Sequence, residues 1–219
     1  MEKQTVRERI LEVGIVPVIR ATSGKEAMLA AEAVSEGGIP IVEVTMTVPN
    51  AVDVIRDLAK TTTGLLVGAG TVLDADSARN CADAGAQFLV TPALDVATVE
   101  FAAQQKILIM AGALSPTEIV KAWKSGADFV KVFPCGQVGG AKYIKAIKGP
   151  LPQIPLVPTG GVNLNTAAEF IEAGAAALGV GSELVQADAL KQGNKQIILE
   201  NARKFLGIVK DARWRTGQR

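Results

Sequence analysis

Short apolar segments alternate with amphipathic segments along this chain. Eight apolar segments start 19 to 26 residues apart, and each is rich in Val, Ile, Leu or Phe. Each is short enough to form a strand that is buried on both faces. The eight predicted strands are Ile15–Arg20, Ile41–Met46, Leu65–Gly70, Phe88–Pro92, Ile107–Gly112, Phe129–Pro134, Pro155–Gly161 and Ala177–Ser182.

Helical patterns occupy the intervals between these strands. Lys25–Ser35 and Ala51–Ala59 repeat apolar residues along one helical face. Ser115-Pro-Thr-Glu118 has the form of a capping box with proline at the first helical position, and Thr166-Ala-Ala-Glu169 is a second candidate. Alternation of strands and helices at this spacing predicts parallel βαβ units.

Eight such units in about 200 residues predict an α/β fold, a closed (β/α)₈ TIM barrel. An open doubly wound sheet is the alternative, but the turn after the first predicted strand, Arg20-Ala-Thr-Ser-Gly24, lacks its G-x-G-x-x-G pattern. A helix over roughly Thr5–Val13 is expected to cap the bottom of the barrel. Since no linker interrupts the pattern, we predict one domain over residues 1–219, with a solvated basic tail at Lys210–Arg219.

The composition excludes several classes of function. There are 23 Lys and Arg residues against 22 Asp and Glu, so the net charge of +1 argues against a nucleic-acid-binding protein. The absence of histidine excludes Ser-His-Asp and Cys-His catalysis and histidine-ligated metals. Two cysteines, Cys81 and Cys135, form neither a disulfide framework nor a metal cluster. We therefore expect no metal and no cofactor.

The chain has neither the apolar core of a signal peptide nor a membrane-spanning segment of about 20 apolar residues. We expect a soluble, cytoplasmic protein that does not bind membranes.

Two charged residues interrupt otherwise apolar strands. Lys131 shares one strand face with Phe129 and Phe133, and Glu43 shares a face with its strand neighbours Ile41 and Thr45. If both point into the barrel, burial favours the neutral amine, which is the nucleophile that a Schiff base requires. A neighbouring carboxylate can then transfer protons. The alternatives are a lysine that extends to solvent and a structural ion pair.

Glycine-rich turns follow the last two predicted strands. Thr159-Gly160-Gly161 ends the seventh strand and Gly181-Ser182 ends the eighth, which is where barrels of this architecture recurrently bind phosphate. Two further segments lie at the ends of predicted strands, and we expect them either to line the mouth of the barrel or to serve only as turns: Gly68-Ala-Gly70-Thr71 and Thr91-Pro92. Arg20 either clamps a carboxylate or lies on the surface.

These segments resemble the 2-keto-3-deoxy-6-phosphogluconate (KDPG) aldolases, which overlap with the 4-hydroxy-2-oxoglutarate (KHG) aldolases. The resemblance covers about residues 15–184. It rests on Gly14-Ile-Val-Pro-Val-Ile-Arg20, Glu43-Val-Thr-Met-Thr-Val-Pro-Asn-Ala51, Gly68-Ala-Gly-Thr-Val72, Lys131-Val-Phe-Pro134, Pro158-Thr-Gly-Gly-Val162 and Gly179-Val-Gly-Ser182. It implies a metal-free class I aldolase on a (β/α)₈ barrel, assembled as a homotrimer.

The resemblance also implies roles for individual residues. Lys131 corresponds to the Schiff-base lysine and Glu43 to the general acid and base. Many family members have an arginine that binds the substrate carboxylate where this chain has Thr47. A second branch has Thr-Val-Pro there and an arginine ending the first strand, so Arg20, with Thr47 beside it, is expected to bind the carboxylate. The remaining correspondences are Thr71, Pro92 and Phe133 as lining, and Thr159, Gly160, Gly161, Gly181 and Ser182 as the phosphate cradle.

The expected reaction is cleavage of 2-dehydro-3-deoxy-6-phosphogluconate, a 2-keto-3-deoxy sugar acid phosphate, to pyruvate and glyceraldehyde 3-phosphate. One alternative is cleavage of 4-hydroxy-2-oxoglutarate to pyruvate and glyoxylate, or both activities together. Another is a galactonate-derived epimer of the sugar acid. Two alternatives belong to other functional classes. One is a non-catalytic barrel that binds a sugar phosphate, and the other is a different phosphate-handling barrel enzyme, an epimerase or synthase.

Overall fold

The computed structural model describes residues 2–217, in which eight strands alternate with helices. The strands are β1 Ile15–Ile19, β2 Ile41–Thr45, β3 Leu66–Gly70, β4 Phe88–Val90, β5 Leu108–Ala113, β6 Phe129–Val132, β7 Leu156–Pro158 and β8 Leu178–Val180. The helices are α1 Lys3–Val13, α2 Gly24–Glu36, α3 Ala51–Thr61, α4 Ala75–Asp83, α5 Val96–Gln104, α6 Pro116–Lys124, α7 Gly140–Lys148, α8 Ala167–Glu172, α9 Ala187–Lys191 and α10 Lys195–Thr216, with a 3₁₀ turn at Cys135–Val138. Each strand lies within its predicted segment, except that β5 extends one residue further, to Ala113.

The strands form one parallel sheet that curves into a barrel. Their order is β7-β6-β5-β4-β3-β2-β1-β8, and a single parallel bridge between Thr159 and Gly179 joins β7 to β8. The predicted (β/α)₈ barrel is confirmed, and the open sheet is excluded.

The strand register determines which side chains face the barrel interior. Glu43 is paired with Gly68 and Gly68 with Phe88, while Lys131 is paired with Gly112 on one side and Val157 on the other. Paired residues of a parallel sheet share a face, so both charged residues lie on the inward face.

Helix α1 covers the N-terminal end of the barrel, as predicted. The Arg7 guanidinium lies 5.6 Å from the centre of the Phe129 ring, whose side chain is fully buried. Lys3 Nζ lies 2.9 Å from Asp128 Oδ2, and the same carboxylate oxygen accepts a hydrogen bond from the Ile109 main-chain N–H. The N-terminal end of the barrel is therefore closed by the packing of Arg7 on Phe129 and by the Lys3–Asp128 ion pair.

The C-terminal segment, predicted as a solvated tail, is helical as far as it is described. Helix α10 continues to Thr216 and ends at a left-handed Gly217. Ala212 is fully buried, and Arg213 donates hydrogen bonds to the main-chain oxygens of Glu12 and Ala176. Within residues 210–216, Ala212 and Arg213 therefore pack on the barrel, and the other five residues are exposed. Gln218 and Arg219 lie outside the described residues.

The two predicted capping boxes have different outcomes. Ser115 and Glu118 form a complete box, with Pro116 in the first turn of α6. Thr166 makes no capping hydrogen bond; its hydroxyl instead accepts from the main-chain N–H of Asn163 and donates to the main-chain oxygen of Gly161. Within residues 2–217, no helix is both long enough and apolar enough to cross a membrane.

Candidate active site

Two charged side chains are buried together inside the barrel, towards the C-terminal ends of the strands. Lys131 Nζ lies 3.8 Å from Glu43 Oε1, and their side chains are only 4% and 2% exposed. They come from β6 and β2, which are remote in sequence and meet only because the sheet closes. Isolated charges are rarely buried, since desolvation costs several kcal/mol per ion. This pair is the strongest indication of a functional site.

The pair is close but is not hydrogen-bonded. Charge-assisted N–H···O bonds are about 2.7–2.9 Å long, well below the 3.8 Å observed. Glu43 Oε1 is buried and has no hydrogen-bond partner among the described residues. The Lys131 ammonium lies 5.5 Å from the centre of the Phe133 ring. A carboxylate with a spare acceptor therefore faces an amine across a gap, which is a suitable arrangement for proton transfer.

A pair of threonine hydroxyls connects the ends of β1 and β2. Thr45 Oγ1 donates to the main-chain oxygen of Ile19 at 3.0 Å, and Thr45 Oγ1 and Thr47 Oγ1 are 2.7 Å apart. Since Thr45 has only one proton and it is directed to Ile19, Thr47 donates to Thr45. The sequence analysis did not single out Thr45, which is fully buried.

Arg20 is exposed at the end of β1 and extends towards β8. Its Nη1 atom lies 2.7 Å from the position that a Cβ atom would take at Gly181. The structure therefore brings Arg20 next to the turn that follows β8, while Thr47 lies on the other side, after β2.

Two glycine-containing turns meet at the Thr159–Gly179 bridge. Gly160 and Gly161 both have left-handed backbones, with φ of 84° and 81°. In the part of the chain that the structure describes, the main-chain N–H groups of Gly161 and Ser182 donate to no other residue. Such groups are available to bind an anion. Thr159 is buried, and its hydroxyl occupies the space above Gly179.

The remaining predicted lining residues lie at the mouth. Thr71, Pro92 and Phe133 are each half-buried, and Thr71 has a left-handed backbone with φ of 58°. The Thr91 hydroxyl accepts from the Gly112 N–H at 2.8 Å and donates to the Ala93 oxygen at 2.7 Å. These bonds hold the turn after β4 against β5, a role that the sequence analysis did not assign.

The cysteines are poor nucleophiles. Burial raises the pKa of the Cys81 thiol to about 11 and that of the Cys135 thiol to about 12. Both thiols therefore remain protonated near neutral pH, and the thiolate is the reactive form. Within residues 2–217, no group of three or more Cys, Asp or Glu side chains is arranged to hold a metal ion.

The fold and the site together define a (β/α)₈-barrel protein with a buried lysine and carboxylate beneath glycine-rich turns. The profile of the family described as KDPG and KHG aldolase matches residues 6–200. The chain belongs to this family, and it is an aldolase, a lyase.

Individual relatives agree with this assignment. The KHG/KDPG aldolase of Escherichia coli strain K12 is 35% identical over 202 residues, which are 92% of this chain and 95% of that protein. The 2-dehydro-3-deoxy-phosphogluconate aldolase of Pseudomonas aeruginosa is 35% identical over 173 residues, covering 78% of this chain and 79% of its own. A KDPG aldolase from Legionella pneumophila, 30% identical, superposes with a TM-score of 0.84 over 90% of this chain and 96% of that one. In that structure, pyruvate is captured as a covalent carbinolamine.

Proposed function

We propose that this chain cleaves 2-dehydro-3-deoxy-6-phosphogluconate to pyruvate and glyceraldehyde 3-phosphate through a Schiff base on Lys131. The observation that carries the proposal is the buried Lys131 amine, 3.8 Å from a Glu43 carboxylate oxygen that has no hydrogen-bond partner in the described residues. A structural ion pair would be expected to close to a direct hydrogen bond. A gap instead leaves room for a reacting group or a water molecule between amine and carboxylate.

The reaction follows from these two groups. The neutral Lys131 amine adds to the C2 ketone, and the resulting carbinolamine takes up a proton as it loses water, which gives a protonated imine. Glu43 accepts the C4 hydroxyl proton, and the C3–C4 bond breaks as its electron pair moves into the imine. Glyceraldehyde 3-phosphate leaves, Glu43 returns a proton to C3 of the enamine, and hydrolysis releases pyruvate and the amine.

The two ends of the substrate require anion-binding groups. We assign the carboxylate to Arg20, with Thr47 at the neighbouring strand end, and the phosphate to the turns after β7 and β8. The free N–H groups of Gly161 and Ser182 support the phosphate assignment. The phosphate cradle comprises Thr159, Gly160, Gly161, Gly181 and Ser182, and the lining comprises Thr71, Pro92 and Phe133.

Cleavage of 4-hydroxy-2-oxoglutarate is the second candidate. It needs the same amine and carboxylate but no phosphate cradle, and the Escherichia coli relative is named for both substrates. A comparison of kcat/KM for the two substrates tests the choice. If Ser182→Glu, which adds negative charge to the cradle, lowers kcat/KM for both substrates equally, the phosphate assignment is wrong.

We also propose a homotrimer, on the resemblance to the family. Light scattering should give a mass of about three subunits of 22.8 kDa. A monomeric mass at micromolar concentration would contradict this.

Borohydride reduction in the presence of pyruvate tests the Schiff base directly. We expect one reduced pyruvyl adduct by intact mass, which peptide mapping locates on Lys131. Lys131→Met should abolish the adduct, and the control Lys145→Met, at an exposed lysine of α7, should retain it. Absence of an adduct on the folded wild-type protein, or an adduct on another lysine, would refute the assignment.

A further inference from the structure

Gly70, the last residue of β3, lies beside the carboxylate of Glu43. It is paired with Thr45, so it faces the barrel interior one inward position above Gly68. A Cβ atom added to Gly70 would lie 1.9 Å from Glu43 Oε1 and 2.6 Å from each of Glu43 Cδ and Cγ. Real Cβ atoms essentially never have contacts below 3.0 Å. The carboxylate therefore occupies the volume that any other residue would fill.

The backbone at Gly70 does not itself require glycine. Its φ lies outside the left-handed region, and its main-chain oxygen accepts an ordinary hydrogen bond of 2.8 Å from Met46 N–H. An alanine could adopt the same conformation without strain. The only property of Gly70 that the site uses is the missing side chain.

The carboxylate has no equivalent space further down the barrel. At Gly68, the corresponding volume is filled by the Phe88 ring, whose atoms lie 2.3 Å from the Cβ position. Phe88 is fully buried and cannot move into solvent. A methyl group at position 70 would therefore displace the carboxylate sideways or towards the mouth, and change its distance from Lys131.

We propose that Gly70 is a positioning residue for Glu43. Because Gly70 has no side chain, the Glu43 carboxylate can lie over β3. This position sets the 3.8 Å separation between Glu43 Oε1 and Lys131 Nζ. The proposal rests on the proposed function, in which Glu43 transfers protons to and from an imine on Lys131. It predicts that a single methyl group impairs proton transfer while imine formation persists.

The same arrangement recurs on the opposite side of the barrel. The Thr159 hydroxyl lies 2.1 Å from the Cβ position of Gly179, its partner across the β7–β8 bridge. In both cases a polar side chain of one strand lies above a glycine of the next. The space above Gly70 is therefore one instance of a packing arrangement that recurs in the barrel.

Gly70→Ala tests the proposal with two readouts that report different steps. Borohydride trapping of pyruvate reports the imine, and exchange of pyruvate methyl protons in D₂O reports proton transfer at C3. We expect trapping within about threefold of wild type and exchange slowed at least about tenfold, since general acid–base catalysis contributes about 10²–10⁴-fold. Gly207→Ala is the matched control, because position 207 is exposed and has no atom within 4 Å of its Cβ position. It should change neither readout.

A double variant distinguishes action through Glu43 from general disturbance. In a Glu43→Gln background, Gly70→Ala should slow the residual exchange by less than about twofold, because the group that it positions is already lost. The proposal would be overturned if Gly70→Ala slowed exchange by the same factor in both backgrounds, or if Gly70→Ala alone left the exchange rate unchanged. If wild-type protein neither traps pyruvate nor exchanges its protons, the proposed function itself fails, which is a separate outcome.

A stability measurement decides the case in which Gly70→Ala folds too poorly for kinetics. Truncation of the clashing side chain by Glu43→Ala should then reduce the loss of Tm that Gly70→Ala causes. If the loss of Tm caused by Gly70→Ala is the same with glutamate or alanine at position 43, Gly70 does not act on Glu43 and the inference is refuted.

Discussion

The buried Glu43–Lys131 pair should cost the barrel stability when either charge is removed alone. Lys131→Met and Glu43→Gln remove one charge each with little change in side-chain volume. Each leaves the other charge buried, since neither side chain is more than 4% exposed. The double variant leaves no charge at all. A double-mutant cycle on the free energy of unfolding therefore measures how strongly the two groups depend on each other.

The magnitude follows from the distance. Two unit charges 3.8 Å apart attract by about 4 kcal/mol at an effective dielectric constant of about 20. Removing one partner of a buried pair typically costs about 3–5 kcal/mol, because the remaining ion keeps its desolvation penalty. The double variant should lie within about 1 kcal/mol of wild type or above it, since buried pairs seldom repay both desolvation penalties.

Urea unfolding at pH 7, followed by circular dichroism, provides the measurement. The surface pair Lys195–Glu36 is the matched control, with a separation of 2.6 Å and side chains 29% and 50% exposed. Despite its shorter distance, its cycle should give a coupling of less than about 1 kcal/mol, because water screens both charges.

Two results would refute the reasoning. If Lys131→Met costs less than about 1 kcal/mol, the carboxylate is not left as an uncompensated buried charge. If the double variant loses as much stability as the two single variants added together, the coupling free energy is zero and the two residues contribute independently.

Four further predictions concern groups around the site. Cys81 and Cys135 should resist iodoacetamide at pH 8 until urea unfolds the protein, because burial raises the pKa of the two thiols to about 11 and 12; rapid labelling of the folded protein would contradict this. Hydrogen bonds from the main-chain N–H groups at the start of α6 lower the pKa of Glu118 below its ordinary 4.5. The ionised Glu118 should therefore stabilise the fold fully above pH 4.5, and this stabilisation should be lost as the pH falls through the lower pKa of the folded state. Tm measured from pH 2 to 7 should therefore fall less on acidification in Glu118→Gln. Arg213→Met should lower the free energy of unfolding by about 1–3 kcal/mol, since two main-chain oxygens lose their donor; an unchanged value would show that water replaces both bonds. Thr45→Val should cost about 1–3 kcal/mol for the same reason, and should leave trapping of pyruvate on the lysine intact.

The fold could be predicted because its pattern is local and repeated. Each strand is a short, mainly apolar segment, and the Ser115 box marks the start of α6 through contacts over three residues. Lys131 and Glu43 could be found because a charge within such a segment conflicts with burial. The expectation that they face each other was an inference from alternation along two strands, and the register confirmed it.

Other features depend on contacts that no local pattern contains. The Thr166 hydroxyl accepts from the Asn163 N–H and donates to the Gly161 oxygen, both in the preceding turn, so a capping motif in the sequence does not form a box. Arg213 is drawn out of solvent by the Glu12 and Ala176 oxygens, which belong to the barrel bottom. The role inferred for Gly70 needs the register between β2 and β3, since in sequence it is simply the end of a glycine-rich strand.

The interior of the barrel changes in side-chain volume from bottom to top, and this gradient links packing to chemistry. Towards the N-terminal end, aromatic rings such as Phe129 and Phe88 are fully buried and leave no room for ligand. Towards the C-terminal end, inward positions are taken by glycines, and each has an atom of a neighbouring strand or of the turn after it within 3.0 Å of its Cβ position: Gly70, Gly112, Gly179 and Gly181. A barrel of this size filled with large side chains throughout would bury its two charges without access. The amine and the carboxylate therefore have aromatic rings below them, and glycines rather than large side chains around the strand ends above them. Added volume at the mouth should therefore impair the chemistry before it impairs folding, whereas volume removed from the base should do the reverse.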